Sequence, residues 1–364
     1  MRFIVRPSGS LDGTFVGRAC PIGGQDALVV GTVGAFRNEL RAAAFRCDAK
    51  NGVWCAVRPP PALVAVAPGA LIALSETVVA CVAGRSPRRP GDAASMTLAS
   101  LFLYDVTRDT WQEARSLSAP REFFSASLLQ DGTLLVMGGA GDGQRSPKTT
   151  GERYFPGRNE WVAVASMPDG RMEHHAAVLK DGRVLVAGGA GPEKFRSPQA
   201  STATFLYDPA LDKWTTVGHL AHQRTHHALV ALPDGRAAVV GGWGGPAHEI
   251  AEIEVFDPST ERWNPGGTLR QGRMDAAVSA LPDGTVLVVG GSWTEGELVR
   301  IFDGVEFWDP ETGSSHSGAL RLGPRVAPDL VPFGSDRLVV VGGLLGAAKR
   351  ENNSTEVFDF SLGT

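Results

Sequence analysis

The stretch QRTHHALVALPDGRAAVVGG, residues 223–242, decides how the rest of the chain is read. It holds an apolar run, a Pro-Asp-Gly turn and a second apolar run that stops at two glycines. Asp-Gly between two short apolar runs is a hairpin signal. A run of Val, Leu and Ala closed by glycine reads as a buried strand that ends where the backbone turns tightly.

The second run recurs as ALVVG (27–31), LLVMGG (134–139), VLVAGG (184–189), AAVVGG (237–242), VLVVGG (286–291) and LVVVGG (338–343). VVACVAG (78–84) is a weaker copy. Self-similarity at a fixed period marks a repeat architecture. In five copies an arginine stands 17 residues before the first glycine: Arg121, Arg171, Arg224, Arg273 and Arg325. Thr14 and Val66 fill that slot in the first two copies, and the slots are 49 to 55 residues apart. Further on, an aromatic-rich segment ends near Asp, as in FLYDP (205–209), EVFDP (254–258) and EFWDP (306–310). Six residues beyond the Asp slot stand Trp54, Trp111, Trp161, Trp214 and Trp263, with Ser315 in the sixth copy.

Each copy therefore encodes four short strands, and four antiparallel strands in about 50 residues make one blade of a β-propeller. The expected architecture is all-β, a single seven-bladed propeller over residues 1–364. Its blades fall at approximately 11–57, 62–114, 119–163, 168–217, 220–266, 269–316 and 321–364 plus 1–7. The last copy lacks its Trp strand, so the N-terminal strand MRFIVRP is expected to complete it and close the ring. Closure removes an open sheet edge.

The Gly-Gly doublet, the aromatic that follows and the spaced Trp resemble the kelch motif over essentially the whole chain. The resemblance implies that His174 and His227, three residues after their arginines, are blade architecture. Kelch-like propellers include peptide-binding adaptors, a copper radical oxidase, a sialic acid epimerase and iron-dependent specifier proteins. The oxidase needs a tyrosine pair, but Tyr104, Tyr154 and Tyr207 all sit in blade strands beside the Asp slot. The epimerase has six blades and is exported, and this chain shows neither feature. The iron motif of the specifiers is absent, and seven blades leave no room for an adaptor's extra domain.

Composition narrows the classes further. Gly (45) and Pro (24) point to many tight turns. A net charge of −4 gives no nucleic-acid signal, and no apolar run approaches a membrane span. MRFIVRPSGS lacks the apolar segment of a secretory leader, and four cysteines are too few for a disulfide framework. The chain is thus expected to be a cytoplasmic monomer with Cys47 and Cys55 reduced.

In a repeat protein, what recurs is architecture and what breaks the pattern is the functional candidate. Two residues after the arginine slot stand Phe123, Glu173, His226, Asp275 and Ala327; four residues after it stand Ser125, His175, Ala228, Ala277 and Asp329. Glu173, His175, His226, Asp275 and Asp329 break the repeat with ionisable groups at the start of the innermost strands. An unequal carboxylate and imidazole set suits acid/base chemistry. The same donors suit a divalent metal, although no motif calls for a cofactor.

Loops after the glycines are expected on the same face. They add Arg85, Arg88, Arg89, Arg145, Lys148, Lys194 and Arg196, with His248 and the off-pattern Trp243 and Trp293. With the slot residues Arg121, Arg171, Arg224, Arg273 and Arg325, Phe123 and Asp329, these are the candidate ligand-binding groups. Each slot arginine also has an architectural reading, as an ion-pair or hydrogen-bond partner between blades. Two functions follow. One is binding of an anionic small molecule or acidic peptide in a polar pocket at the channel mouth. The other is an isomerase, epimerase or cyclase that moves protons with Glu173, His226, Asp275 and His175. Deletion of residues 1–7 is expected to lower the melting temperature of the whole fold in a single cooperative transition; a loss confined to the last repeat would contradict the closure.

Overall fold

In the computed structural model the described residues are 2–8, 15–23, 26–35, 38–48, 53–61, 67–86, 96–141, 146–191, 200–245, 249–296, 298–321, 324–333, 337–342, 344–345, 350–351 and 355–361. They form a β-propeller with four antiparallel strands per blade. Six sheets are built from strands that follow one another in the chain, spanning 15–57, 67–114, 125–164, 175–224, 228–268 and 277–321; they are called the first to sixth blades. The sixth carries an extra hairpin, Ser292–Glu295 with Leu298–Ile301, between its second and third strands. A further four-stranded sheet joins the two ends of the chain. Arg2–Ser8 pairs with Thr355–Ser361, which pairs with Arg337–Val341, which pairs with Asp329–Phe333. Within this sheet Phe3 lies opposite Phe360.

The first strand of each blade lies beside the first strand of the next, so these are the inner strands around the propeller axis. Phe15–Ile22 of the first blade lies beside Ala67–Ala73 on one side and Asp329–Phe333 on the other.

Why the Gly-Gly runs are apolar throughout follows from where their strands sit. Side chains of a strand alternate between two faces, and here both faces are covered by neighbouring blades. Leu134 and Val136 pack with Ala80, Val82 and Leu101 of the second blade. Leu135 and Met137 pack with Val184, Val186 and Phe205 of the fourth. The cores therefore lie between blades. Ala27, Val29 and Cys47 pack the first blade against Val331 and Val341 of the terminal sheet.

The recurring Trp residues tie neighbours together by a directed bond. The indole N–H of Trp111 donates to the Arg58 carbonyl (2.8 Å), Trp161 to Arg115 (2.7 Å) and Trp214 to Ala165 (2.8 Å). Each acceptor lies just past the end of the preceding blade.

The glycine doublets make the second tie. The second glycine donates its N–H to the carbonyl of the next blade's slot arginine: Gly139 to Arg171 (2.7 Å), Gly189 to Arg224 (2.9 Å), Gly242 to Arg273 (2.8 Å) and Gly291 to Arg325 (2.9 Å). Gly139 has φ +83°, and a Cβ there would lie 2.6 Å from the Glu122 carbonyl oxygen. No larger residue fits both demands. Gly139→Ala is expected to cost roughly 2–4 kcal/mol in denaturant unfolding, from backbone strain and overpacking together. The control is Gly132, φ +79° with open space around it, where Ala is expected to cost about 1 kcal/mol from strain alone. Equal losses would contradict the packing argument.

Candidate functional site

The arginine slot orders the inner face of the third to sixth blades. Glu122, Met172, Thr225 and Met274, one residue after their arginines, bridge to Ala140, Ala190, Trp243 and Ser292 after the glycine doublets. The loops after the glycines thus start on the same side as the slot. The next residue turns the chain into its inner strand in the left-handed region: Phe123 (φ 57°), Glu173 (55°), His226 (53°), Asp275 (54°) and Ala327 (49°). This conformation costs L-residues roughly 1–2 kcal/mol. It recurs even at an alanine, so it belongs to the blade and not to any one side chain. These residues are also joined across blades. Glu173 N–H donates to the Phe123 carbonyl (3.0 Å), Asp275 to His226 (2.9 Å) and Ala327 to Asp275 (2.8 Å). The result is an arc of left-handed residues on successive blades, with a different side chain from each.

Three of those side chains meet. His226 Nδ1 lies 2.9 Å from Asp275 Oδ1, and His226 Nε2 lies 3.8 Å from Glu173 Oε2. The imidazole is 41% exposed, so ligand and solvent can reach it, while Glu173 and Asp275 are 23% and 31% exposed. The hydrogen bond to Asp275 raises the proton affinity of His226 above its ordinary value; burial opposes this and the charges of Asp275 and Glu173 add to it.

His175, two residues further along the fourth blade's inner strand than Glu173, is open to solvent yet surrounded by protein. Burial pushes its imidazole down to about 4, and Arg18 is the charged group acting most strongly on it. Its ring lies 5.1 Å from that of His227. The two imidazoles are therefore driven apart: His226 holds a proton more readily and His175 stays neutral.

The two architectural histidines are buried, and each is bonded to a neighbouring blade through Nε2. His174 Nε2 is 2.9 Å from Ser125 Oγ of the third blade, and His227 Nε2 is 3.1 Å from the Ala187 carbonyl of the fourth. Burial pushes His174 down to about 3, and His227 well below its usual value.

The slot arginines need a correction as ligand-binding groups. Arg121, Arg171, Arg224, Arg273 and Arg325 are only 1%, 2%, 0%, 3% and 0% exposed. Their guanidinium groups bond inside their own blades. Arg121, Arg224, Arg273 and Arg325 donate to the first glycine's carbonyl, of Gly138, Gly241, Gly290 and Gly342. Glu152, Glu254 and Glu306 then neutralise Arg121, Arg224 and Arg273. In the fourth blade Phe205 fills the glutamate's position, and Arg171 sits over its ring while donating to Asp169 and Ser201. A buried cation is tolerable only when paired in this way, and such pairing removes it from a ligand's reach. The glutamates were legible in principle, since Glu152, Glu254 and Glu306 each stand nine residues before the Trp slot.

Other candidates divide. Trp293 is partly exposed and packs at a tilt against Phe302 of its own loop, centroids 4.3 Å apart. Trp243 is half-buried and Phe123 is 41% exposed beside Glu173. Asp329 is engaged rather than open: it accepts from the Ala19 N–H (2.8 Å) and from Arg18 Nη1 (3.3 Å). Arg18 was missed because the first copy has Thr14 in the arginine slot; four residues on, Arg18 occupies the position of His175 and Asp329. Arg88, Arg89, Arg145, Lys194, Arg196, His248 and the side chain of Arg85 lie outside the described residues. Among the described residues no set of His, Cys, Asp and Glu is arranged to hold a metal ion, and no helix is long and apolar enough to cross a membrane.

Comparison with known proteins supports the propeller class and stops there. The solved structure described as "Structure of YjhT" is similar to this chain with a TM-score of 0.59 at 16% identity, covering 76% of this chain and 90% of that one. In all, 828 solved chains resemble it, a breadth that leaves the chemistry open. No family model matches the chain, and no curated protein matches it.

The titration of His226 tests the site. With its folded pKa raised, it contributes stability that is full below the unfolded pKa of about 6.5 and is lost as pH rises through the folded value. His174 and His227 act oppositely, since their depressed values cost stability as pH falls below about 6.5. In imidazole NMR titrations His226 is expected to titrate above the ordinary value in the wild type and to shift down in Asp275→Asn. An unchanged midpoint would contradict the pairing.

Proposed function

We propose that the chain is a closed, seven-bladed kelch-type propeller whose inner rim is the site of a proton-transfer enzyme of the isomerase, epimerase or cyclase type. The closed ring is supported by the sheet that combines both chain ends and by the neighbouring of its inner strand with that of the first blade. The enzymatic reading is carried by one observation: His226 lies 2.9 Å from Asp275 and 3.8 Å from Glu173 on an exposed rim.

Each group then has a role. Asp275 accepts from Nδ1–H of His226 and so fixes the tautomer that leaves Nε2 toward Glu173. Neutral Nε2 is the base, and its protonated form, favoured by both carboxylates, is the acid. Glu173 is the second carboxylate, able to take or return a proton at the same ligand. Left-handed backbone on three successive blades supports all three groups, so their spacing is set by the ring and not by a mobile loop.

Binding of an anionic molecule without chemistry is the weaker reading. Among the described residues the slot arginines are consumed inside the blades, and Arg18 is 50% exposed but already paired with Asp329. Incubation with a panel of small polar metabolites in deuterium oxide tests the proposal. Wild type is expected to catalyse deuterium incorporation into at least one compound, and His226→Gln to slow it by about 100- to 10,000-fold. Equal rates with wild type and the variant would contradict it.

A further inference from the structure

Beyond the rim, the inner strands carry a second set of polar groups that the rim chemistry does not use. Four residues after the slot, the blades present Arg18, Ala70, Ser125, His175, Ala228, Ala277 and Asp329. Arg18 and His175 are exposed, and Ala70, Ser125, Ala228, Ala277 and Asp329 are partly so. Two residues of strand separate this level from the rim, a rise on the order of 6–7 Å. A short carbon chain spans that distance.

Arg18 is held there with care. Asp329, from the neighbouring inner strand, takes Nη1 of Arg18 at 3.3 Å and the Ala19 N–H at 2.8 Å, while the guanidinium remains 50% exposed. A donor group fixed in place, accessible and already neutralised is suited to an uncharged acceptor. An anion would add to a space that already holds Glu173, Asp275 and Asp329 against Arg18 and His226. A carbonyl oxygen adds no charge until electrons move onto it. His175, on the same level, is a neutral imidazole whose N–H can donate to the same oxygen, and Arg18 is the charge it feels most strongly.

We propose that Arg18 and His175 together bind and polarise the carbonyl oxygen of an uncharged, small hydroxycarbonyl substrate, whose neighbouring C–H faces His226 and Glu173 at the rim. This rests on the proton-transfer reading of the rim and names its substrate class. The step balances without a co-reactant. His226 Nε2 or Glu173 takes the proton from the α-carbon, and the C–H electron pair becomes the C=C bond of an enediolate as the carbonyl π pair moves to oxygen. Guanidinium and imidazole N–H groups meet the developing negative charge. Transfer of the hydroxyl proton to the former carbonyl oxygen, with return of the carbon-bound proton to that oxygen's carbon, completes an isomerisation; return of the proton to the opposite face of the original carbon, with the π pair restored to the carbonyl, completes an epimerisation. A fixed cationic donor and a neutral imidazole aimed at a forming oxyanion are worth more in the transition state than in the ground state.

Hydroxyacetone is the probe, with 1,2-propanediol as its alcohol analogue and lactate as an anionic one. Two readouts are used: imidazole NMR shifts of His175 and His226 for binding, and proton NMR in deuterium oxide for exchange of the C–H next to the carbonyl. Wild type is expected to bind hydroxyacetone at least about tenfold more tightly than 1,2-propanediol or lactate, a difference of about 1.4 kcal/mol. Arg18→Gln is expected to erase that preference and to slow exchange by about 100- to 1,000-fold. Arg18→Lys keeps the charge without the fork and is expected to fall between; it also serves if Arg18→Gln fails to fold. His226→Gln is expected to abolish exchange and keep the binding preference.

The failures are separable. Wild-type exchange that persists in the Arg18 variants and vanishes in His226→Gln overturns the role of Arg18 and leaves the rim reading standing. A preference for the carbonyl that depends on Arg18, with no exchange in wild type, overturns the rim reading instead. Tighter binding of lactate, or no saturable shift with hydroxyacetone up to about 100 mM, overturns the substrate class.

Discussion

The bond from the second glycine of one blade to the arginine carbonyl of the next sets everything inward of it. Gly139, Gly189, Gly242 and Gly291 hold Arg171, Arg224, Arg273 and Arg325 by their backbones, 2.7 to 2.9 Å away. The side chains of Arg224, Arg273 and Arg325, like that of Arg121, reach back to the first glycine of their own blades, while Arg171 is held by Asp169 and Ser201. One residue type is thereby fixed at both ends, and the chain that leaves it enters the inner strand at a set angle. That explains why a costly left-handed residue follows two positions later in five successive copies, with Phe, Glu, His, Asp or Ala all tolerated. The backbone there is determined from outside, so the side chain is available for function.

This separation between what carries the propeller and what faces its axis decides where ionisable groups can stand. Tryptophan and the buried histidines are consumed in joining blades, and the arginine side chains in bonds within their own. Charged groups on the inner strands are not needed for that purpose, and Ala228, Ala277 and Ala327 hold equivalent positions without them. The ionisable groups that do appear sort by environment. His226 sits between two carboxylates and gains proton affinity, whereas His175 and the buried pair lose it. Imidazoles on neighbouring blades are thus pushed in opposite directions by their surroundings.

Much of this was legible in the sequence because tight backbone constraints leave a mark in residue type. Positive φ with a neighbour's carbonyl at contact distance demands glycine, so the doublets stand out at a fixed period. The convergence of Glu173, His226 and Asp275 was likewise readable, as breaks in a regular slot. The fate of the arginines was not: the slot fixes where the backbone goes, and only the glutamates on the third strands decide that the guanidinium groups stay inside. Arg18 was hidden for a related reason. The first copy lacks the arginine that marks the slot, so its inner strand carries no flag of its own. The contact of Trp293 with Phe302 shows a third limit, since it depends on loop geometry that no period encodes.

The propeller holds His226 Nδ1 2.9 Å from Asp275, an orientation that leaves Nε2 free of Asp275. Long-range nitrogen–proton correlation spectroscopy of the imidazole, recorded above its folded pKa, tests this most directly. The account predicts neutral His226 with its proton on Nδ1, and loss of that preference in Asp275→Asn. A proton on Nε2 in the wild type, or a tautomer indifferent to Asp275, would contradict it.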